Sequence, residues 1–125
     1  MKAELRKQVY YKYDGHCAYC GKEIQYREMQ VDHLHPQALS HFKATGRDIN
    51  GNLIMPDPDR FENLMPSCRR CNHYKRAHTI EQFRDNMRTI QKRLMKIYIF
   101  KVAVDYGIVE VKPFSGTFYF EHKEG

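Results

Sequence analysis

Apolar residues recur every three or four positions in two stretches of the chain, a spacing that predicts amphipathic helices. The first stretch predicts a helix over about residues 4–13. The second predicts a long helix that begins after Thr79, where Gln82 completes a capping box, and ends near Gly107. Its apolar face consists of Ile80, Phe83, Met87, Ile90, Leu94 and Ile97.

Short segments between these helices predict strands. Residues 29–33 form one candidate strand, which Pro36 ends, and residues 63–66 form the second. The intervening residues 37–62 have a loose pattern punctuated by glycine and proline, with a short helix expected around residues 38–43.

The C-terminal residues complete the predicted fold. Residues 108–112 and 117–121 predict a β-hairpin. Together the elements predict an α+β fold in a single domain over residues 1–125. Its core is expected over about residues 17–76, extended by helical and hairpin segments over about 79–121.

Four cysteines form two Cys-x-x-Cys pairs, Cys17/Cys20 and Cys68/Cys71. Such pairs can close a tetrahedral thiolate site for structural Zn²⁺, which would stabilise a 125-residue chain with a modest core. The charged N-terminal residues 1–7 lack the apolar stretch of a secretory signal. That favours zinc over two disulfides and predicts a cytoplasmic, intracellular protein.

Positive charge is concentrated in one part of the chain. The formal net charge is +6, and residues 64–101 contain ten Lys or Arg residues against two acidic residues. A localised basic segment predicts a polyanionic partner, most often nucleic acid. A membrane is not expected, because no apolar run is long enough to span a bilayer and no lipidation motif is present.

The basic side chains lie on the two helices predicted after the second strand. Arg84, Arg88, Lys92 and Lys96 recur every fourth residue and form one stripe along the long helix. Like charges at this spacing repel by a few tenths of a kcal/mol per pair, so bound phosphates or solvent must cover them. The residues predicted to contact nucleic acid are Lys75, Arg76, Arg69, Arg70, Arg84 and Arg88.

In chain order the motifs are Cys-x-x-Cys, Val-Asp-His-x-x-Pro and Asn-Leu-x-Pro-x-Cys-x-x-Cys-Asn-x-x-Lys. This arrangement, from about Cys17 to Lys75, resembles the HNH endonuclease family in its zinc-bearing ββα-metal form. The resemblance implies a zinc-stapled ββα-metal core and metal-dependent hydrolysis of DNA phosphodiester bonds, which leaves 3′-hydroxyl and 5′-phosphate ends.

The residue types in these motifs suit that chemistry. His33 is the candidate general base, because imidazole exchanges protons near neutral pH. Asp32 offers an anionic oxygen and Asn72 a neutral amide oxygen, which leaves room for water and phosphate around Mg²⁺ or Mn²⁺. The resemblance implies the same roles. It also implies that Asn63 braces the loop orienting the base and that Lys75 contacts phosphate.

Three points about the site stay open. In a regular strand Asp32 and His33 would face opposite sides, so the strand is expected to end or bulge there. His73 is an alternative to Asn72 as a ligand of the catalytic metal. His35 is either a further ligand or an ordinary surface histidine.

Other functions remain compatible with the sequence. A non-catalytic zinc module that binds DNA or RNA would keep the cysteines and basic helices, but has no use for Asp32 beside His33. A scaffold within a larger nuclease, packaging or restriction assembly is a third class. The near-heptad spacing of the long apolar face also leaves a homodimer open.

Overall fold

The computed structural model describes residues 1–36, 50 and 58–123 and confirms the predicted α+β class. In chain order its elements are helix α1 (Ala3–Tyr11), strands β1 (Gln30–His33) and β2 (Leu64–Ser67), and helices α2 (Arg69–Lys75), α3 (Ile80–Arg88), α4 (Ile90–Leu94), α5 (Tyr98–Asp105) and α6 (Tyr119–Lys123). The helix predicted at residues 38–43 lies outside the described residues.

The chain divides into two compact units. The first comprises Met1–Ile80 together with Phe118–Gly125, and the second comprises Glu81–Thr117. The first unit contains the whole of the expected core, residues 17–76. That residues 1–125 act as a single domain stays a prediction.

Strands β1 and β2 pair in antiparallel register, with Gln30 opposite Ser67 and His33 opposite Leu64. Both strands lie within one residue of their predicted bounds. Strand β2 is buried along its whole length. Helix α2 follows β2 directly and packs against β1, whereas α1 packs against β2. The order strand, strand, helix is therefore present in the first unit.

A cysteine forms the start of α2. The Sγ atom of Cys68 accepts a hydrogen bond from the backbone N–H of Cys71 at 3.3 Å, so Cys68 is the N-cap of the helix. Because the first turn of a helix leaves N–H groups without intrahelical partners, this contact helps to fix where the helix begins. The predicted helix near Cys68 is confirmed.

Two cationic side chains, one in α1 and one in the residue that follows it, bond to the chain at the start of each strand. Arg6 Nη2 donates to the carbonyl oxygens of Tyr26 and Met29, both at 2.9 Å. Lys12 Nζ donates to three carbonyl oxygens within residues 61–64, at 3.0 to 3.3 Å. Hydrogen bonds from charged donors are stronger than neutral ones, so α1 holds both strand entries in place.

The predicted C-terminal hairpin is wrong. Among the described residues of the tail no strand forms, and Tyr119–Lys123 is helical. Glu121 explains the helix, because its Oε1 accepts the backbone N–H of Phe118 at 2.8 Å. This is the contact that a glutamate makes at the third helical position of a capping box.

The tail instead bonds to the turn that carries the first cysteine pair. The N–H groups of Tyr119 and Phe120 donate to the carbonyl oxygens of Tyr19 and Ala18, at 3.1 and 2.8 Å. The Phe120 ring also lies edge-on to the Tyr19 ring, with 6.1 Å between centroids. These contacts make the last described residues part of the first unit.

The predicted long helix over residues 79–107 is also wrong, because it is divided into α3, α4 and α5. At the first break the carbonyl oxygen of Asn86 accepts from Thr89 Oγ1 at 3.0 Å and from Arg93 Nη2 at 2.8 Å. In an unbroken helix that oxygen would accept the N–H of Ile90. At the second break Ile97 is extended. The apolar face is therefore not one continuous dimer seam.

Gly21 lies where the C-terminal tail approaches the cysteine-bearing turn. Its φ is +80°, and a Cβ added there would lie 2.5 Å from Cδ1 of Tyr119. Both the left-handed backbone and the close ring require glycine at this position.

We expect Gly21→Ala to lower the free energy of unfolding by about 2–4 kcal/mol, from left-handed strain and the clash with Tyr119. Gly107→Ala is the matched control, because Gly107 has φ +74° and no described atom within 4 Å of its added Cβ. In that control the free energy of unfolding should fall only by the part that comes from the left-handed backbone. Urea denaturation of the zinc-loaded protein measures both values, and equal losses would contradict the proposed clash.

Candidate metal centre and active site

The four cysteine sulfurs converge, as predicted. They all lie within 4.8 Å of one another, and Cys20 Sγ is 3.9 Å from Cys68 Sγ. Cys17 and Cys68 are buried, Cys71 is half-buried and Cys20 is exposed. Four thiolates at this separation suit structural Zn²⁺, which is bound tetrahedrally by sulfur.

Hydrogen bonds shape the turn that presents the first pair. The N–H of Cys17 donates to the carbonyl oxygen of Lys22 at 2.8 Å, and the N–H of Gly21 donates to that of Cys17 at 3.0 Å. This tight hairpin-like turn needs the left-handed glycine described above. The spacing Cys-Ala-Tyr-Cys-Gly therefore produces the turn directly.

The sulfurs share protons. Hydrogen bonds, first from Cys20 and then from Cys71, hold the pKa of the Cys17 thiol far below its usual range. The hydrogen bond with Cys17 is the largest cause that raises the pKa of Cys20 to about 11. Hydrogen bonds with Cys17 and Cys20, then burial, raise the pKa of Cys71 well above its usual value. A bound cation would replace these shared protons, because coordinated thiols are deprotonated.

Asp32, the third residue of β1, is the buried residue of that strand, and its carboxylate contacts two donors. Its Oδ2 accepts from the hydroxyl of Tyr19 at 2.5 Å and lies 3.0 Å from Nζ of Lys75. Burial, followed by the charge of Asp32, raises the pKa of Tyr19 well above its usual value, so the phenol stays protonated and donates. The carboxylate is therefore held by a neutral donor and a cation together.

Lys75 does not lie where a phosphate contact was expected. Its side chain is fully buried, and besides the ion pair with Asp32 its Nζ donates to the carbonyl oxygen of His33 at 3.0 Å. Lys75 lies on the side of α2 that faces β1, which explains why its side chain is buried and not exposed to a phosphate. This lysine joins α2 to both of the last two residues of β1.

His33 is the last residue of β1 and stays in regular register with Leu64, so the expected end or bulge that would turn Asp32 and His33 to one side is not seen between them. Its ring Nε2 lies 2.8 Å from Oδ1 of Asp59. The side chain of Asp32 points to Tyr19 and Lys75, and the ring of His33 has a different partner. Regular strand alternation accounts for this separation.

The side chain of Asn63 bonds to the chain just after His33 and to the chain just before Asp59. Its Oδ1 accepts the N–H of His35 at 2.8 Å, and its Nδ2 donates to the carbonyl oxygens of His35 and Pro58 at 3.1 and 2.8 Å. The side chain is completely buried. His35 itself is exposed and takes part in these contacts through its backbone.

Besides Asp32, the catalytic metal has two candidate protein ligands, Asn72 and His73. They lie on different sides of α2. Asn72 precedes Lys75 by three residues and so shares the side that faces β1. His73 is exposed and lines an open groove together with Arg69 and Arg70. The helical geometry therefore favours Asn72 over His73 as a neighbour of Asp32.

The predicted basic contacts differ in accessibility. Arg69, Arg70 and Arg76 are exposed in the first unit. In the second unit Arg84 is buried, with its guanidinium bonded to Glu81 and to the carbonyl oxygen of Gly116. The predicted role of Arg84 in nucleic-acid contact is therefore corrected to one in packing.

The remaining basic stripe is also interrupted. Arg88 is exposed and donates to Asp85 at 3.2 Å, so its charge is partly neutralised. Lys92 and Lys96 are exposed, but they lie on α4 and in the turn after it. Because the predicted helix is divided at residue 89, Arg88, Lys92 and Lys96 do not follow one helical face.

Two neighbours of the site carry no strong signal in the sequence. Tyr19 stands between the first two cysteines, where its role as a donor to Asp32 depends on chain folding. Asp59 follows a proline in a polar segment and lies 26 residues from His33. Its position four residues before Asn63 is the one sequence feature that suggests it lies near His33.

The comparison with solved structures finds similar chains. A region of the chain is similar to the Type II-C Cas9 enzyme from Actinomyces naeslundii, with 28% sequence identity and a TM-score of 0.46. The match covers 65% of this chain and 7% of the Cas9 chain. No protein-family model and no curated protein sequence matches the chain. None of the helices that the structure describes is both long and apolar enough to span a membrane.

We expect the protein to bind one Zn²⁺ per chain and to lose thermal stability when a chelator removes it. The four converging sulfurs contribute binding free energy to folding, on the order of 10–16 kcal/mol in isolated zinc fingers. Metal analysis and Tm with and without chelator measure this. Added Zn²⁺ should restore the Tm of the wild type, whereas full restoration in Cys71→Ser would contradict the site.

Lys75→Met is expected to destabilise the protein by about 3–5 kcal/mol, because it leaves the Asp32 carboxylate buried without its cation. The double variant Asp32→Asn/Lys75→Met should recover part of that loss. Lys7→Met on the exposed side of α1 is the matched control and should change little. Urea denaturation measures the free energy of unfolding of the three variants. If Lys75→Met were as stable as Lys7→Met, the ion pair would be unimportant for stability.

Proposed function

We propose that this chain is a metal-dependent DNA endonuclease of the HNH type, with His33 as general base. The observation that carries the proposal is the junction between β1 and α2. There Nζ of Lys75, a residue of α2, lies 3.0 Å from both Oδ2 of Asp32 and the carbonyl oxygen of His33. The proposed base His33 and the Asp32 carboxylate thus belong to β1, and Asn72 belongs to the adjoining helix α2.

Asp32 and Asn72 would hold the catalytic Mg²⁺ or Mn²⁺. The Lys75 ammonium lies 3.0 Å from Oδ2 of Asp32 and would repel a second cation there, so the metal is expected on the Oδ1 side of the carboxylate. Among the described residues, both partners of Asp32 use Oδ2. A hard divalent cation prefers such carboxylate and amide oxygens. When bound, it would neutralise charge that builds on the phosphoryl oxygens.

The reaction of the protein groups is a proton transfer coupled to displacement. The His33 imidazole takes a proton from water, and the resulting hydroxide forms a bond to phosphorus. The bond between phosphorus and the 3′ oxygen breaks, and the leaving oxygen takes a proton from solvent. The products are a 3′-hydroxyl and a 5′-phosphate, and the imidazolium returns its proton to water.

Asn63 supports the base without touching the reacting atoms. Its buried amide fixes the backbone at His35, two residues after the base. This contact is what the predicted bracing role requires, since a general base must stay within hydrogen-bond reach of its water. The roles of Asn63, Asp32 and Asn72 belong to the proposal.

Exposed arginines of the first unit would position the DNA backbone. Arg69, Arg70 and Arg76 offer charge on the helix that follows the second strand and in the residue after it. Phosphate contacts fix register and orientation without specifying bases. Cleavage specificity is therefore not expected to come from these three side chains.

A non-catalytic zinc module that binds nucleic acid is the second candidate. The specific observation in its favour is the buried ion pair of Asp32 with Lys75, which gives Asp32 a purely structural task. Such a module would bind through the same exposed arginines and would not need His33 as a base. The two candidates differ in whether the phosphodiester bond is cut.

We expect the zinc-loaded protein to nick supercoiled plasmid with Mg²⁺ or Mn²⁺. His33→Ala should slow nicking by about 10²- to 10⁴-fold, the usual contribution of a general base. His122→Ala is the matched control, because His122 is an exposed histidine on α6. Fluorescence anisotropy should show unchanged DNA binding for both variants.

Two outcomes would change this proposal. DNA binding without nicking under any divalent metal would establish the non-catalytic module instead. Equal nicking by the wild type and His33→Ala would keep an enzyme but remove His33 as its base.

A further inference from the structure

The contact between His33 and Asp59 places a carboxylate directly on the candidate base. Nε2 of His33 lies 2.8 Å from Oδ1 of Asp59, a full hydrogen-bond contact. The two side chains are 20% and 59% exposed. Neither the sequence motifs nor the family resemblance gives Asp59 a role.

The fold itself sets the separation between these two side chains. Asn63 bonds to Pro58, the neighbour of Asp59, and to His35, two residues beyond His33. Because Asn63 is completely buried, its three hydrogen bonds are not exchanged with solvent. One amide therefore holds the segment carrying the carboxylate against the segment carrying the imidazole.

The chemistry of the contact determines which ring nitrogen carries the proton. An ionised carboxylate only accepts hydrogen bonds, so Nε2 of neutral His33 must be the protonated nitrogen. The lone pair of Nδ1 is then the basic site of the ring. A carboxylate that fixes tautomer and orientation in this way is a recurring partner of catalytic histidines.

We infer that Asp59 is a positioning residue for His33: it keeps the proton on Nε2 and leaves Nδ1 to take the proton from the attacking water. This inference rests on the proposed nuclease function. In the reaction the water proton moves to Nδ1, and the Asp59 carboxylate faces the imidazolium that results. Asp59 does not take the proton itself.

Folding stability alone does not explain the contact. An exposed ion pair contributes little to stability, because water screens it and both side chains lose freedom. If this ion pair were only structural, Asp59 variants would change neither the tautomer of His33 nor the rate of the chemical step. A positioning role predicts a change in ring tautomer and in the rate of the chemical step.

The test compares three variants of the full, zinc-loaded chain. Asp59→Asn keeps the shape of the side chain, Asp59→Glu keeps its charge, and Glu62→Gln removes an exposed carboxylate three residues away as the matched control. Nitrogen-15 NMR of labelled histidine reports the tautomer of His33. Plasmid nicking with Mg²⁺ or Mn²⁺ gives kcat and KM.

We expect a wild-type His33 spectrum with Nε2 protonated, and a mixture of tautomers in Asp59→Asn. The same variant should lose about 10- to 100-fold in kcat with KM unchanged, as for other carboxylates that orient a histidine. Asp59→Glu should recover part of the rate, and Glu62→Gln should match the wild type.

The outcomes separate the two proposals. An unchanged tautomer and unchanged kcat in Asp59→Asn would overturn the role of Asp59, even if the wild type cuts DNA. A wild type that does not cut contradicts the nuclease function, while the tautomer measurement still tests whether Asp59 orients His33.

Discussion

The convergence of four sulfur atoms is the constraint on which the first unit depends. It joins the turn at Cys17 and Cys20 to the start of α2, so about 50 residues of chain form a closed loop. Asp32, His33 and Asn63 all lie within that loop. Closing a loop of this length costs chain entropy, which a bound metal can offset through its binding free energy. The direction of α2, and with it the position of Lys75, follows from this closure.

The cysteine cluster and the candidate active site are linked through one side chain. Tyr19 stands between the first two cysteines, and its hydroxyl donates to Asp32. Burial keeps the pKa of this phenol high, so the donor persists at any pH near neutrality. The turn that carries the first two candidate zinc ligands thus also orients the carboxylate proposed for the catalytic metal. A small protein gains precision when one rigid element supports both sites.

Local signals in the sequence predicted much of this unit, and long-range contacts account for what they missed. The cysteine pairs, both strands and the start of α2 depend on spacing and turn residues within a few positions. The break after α3 depends on Arg93, which bonds to the Asn86 carbonyl oxygen seven residues earlier. Lysine is seldom fully buried, so the position of Lys75 follows only from its pairing with Asp32, 43 residues away. Asp59 likewise meets His33 only after folding.

The buried amide of Asn63 has a consequence for how this chain can vary. Its bonds to His35 and Pro58 hold two points of the chain that are 23 positions apart, whatever lies between them. Doubling the length of such a connection adds only about 0.6 kcal/mol of closure entropy. The connection is therefore the natural place for insertions and deletions during divergence. A change of length there would leave the strand register and the imidazole of His33 in place.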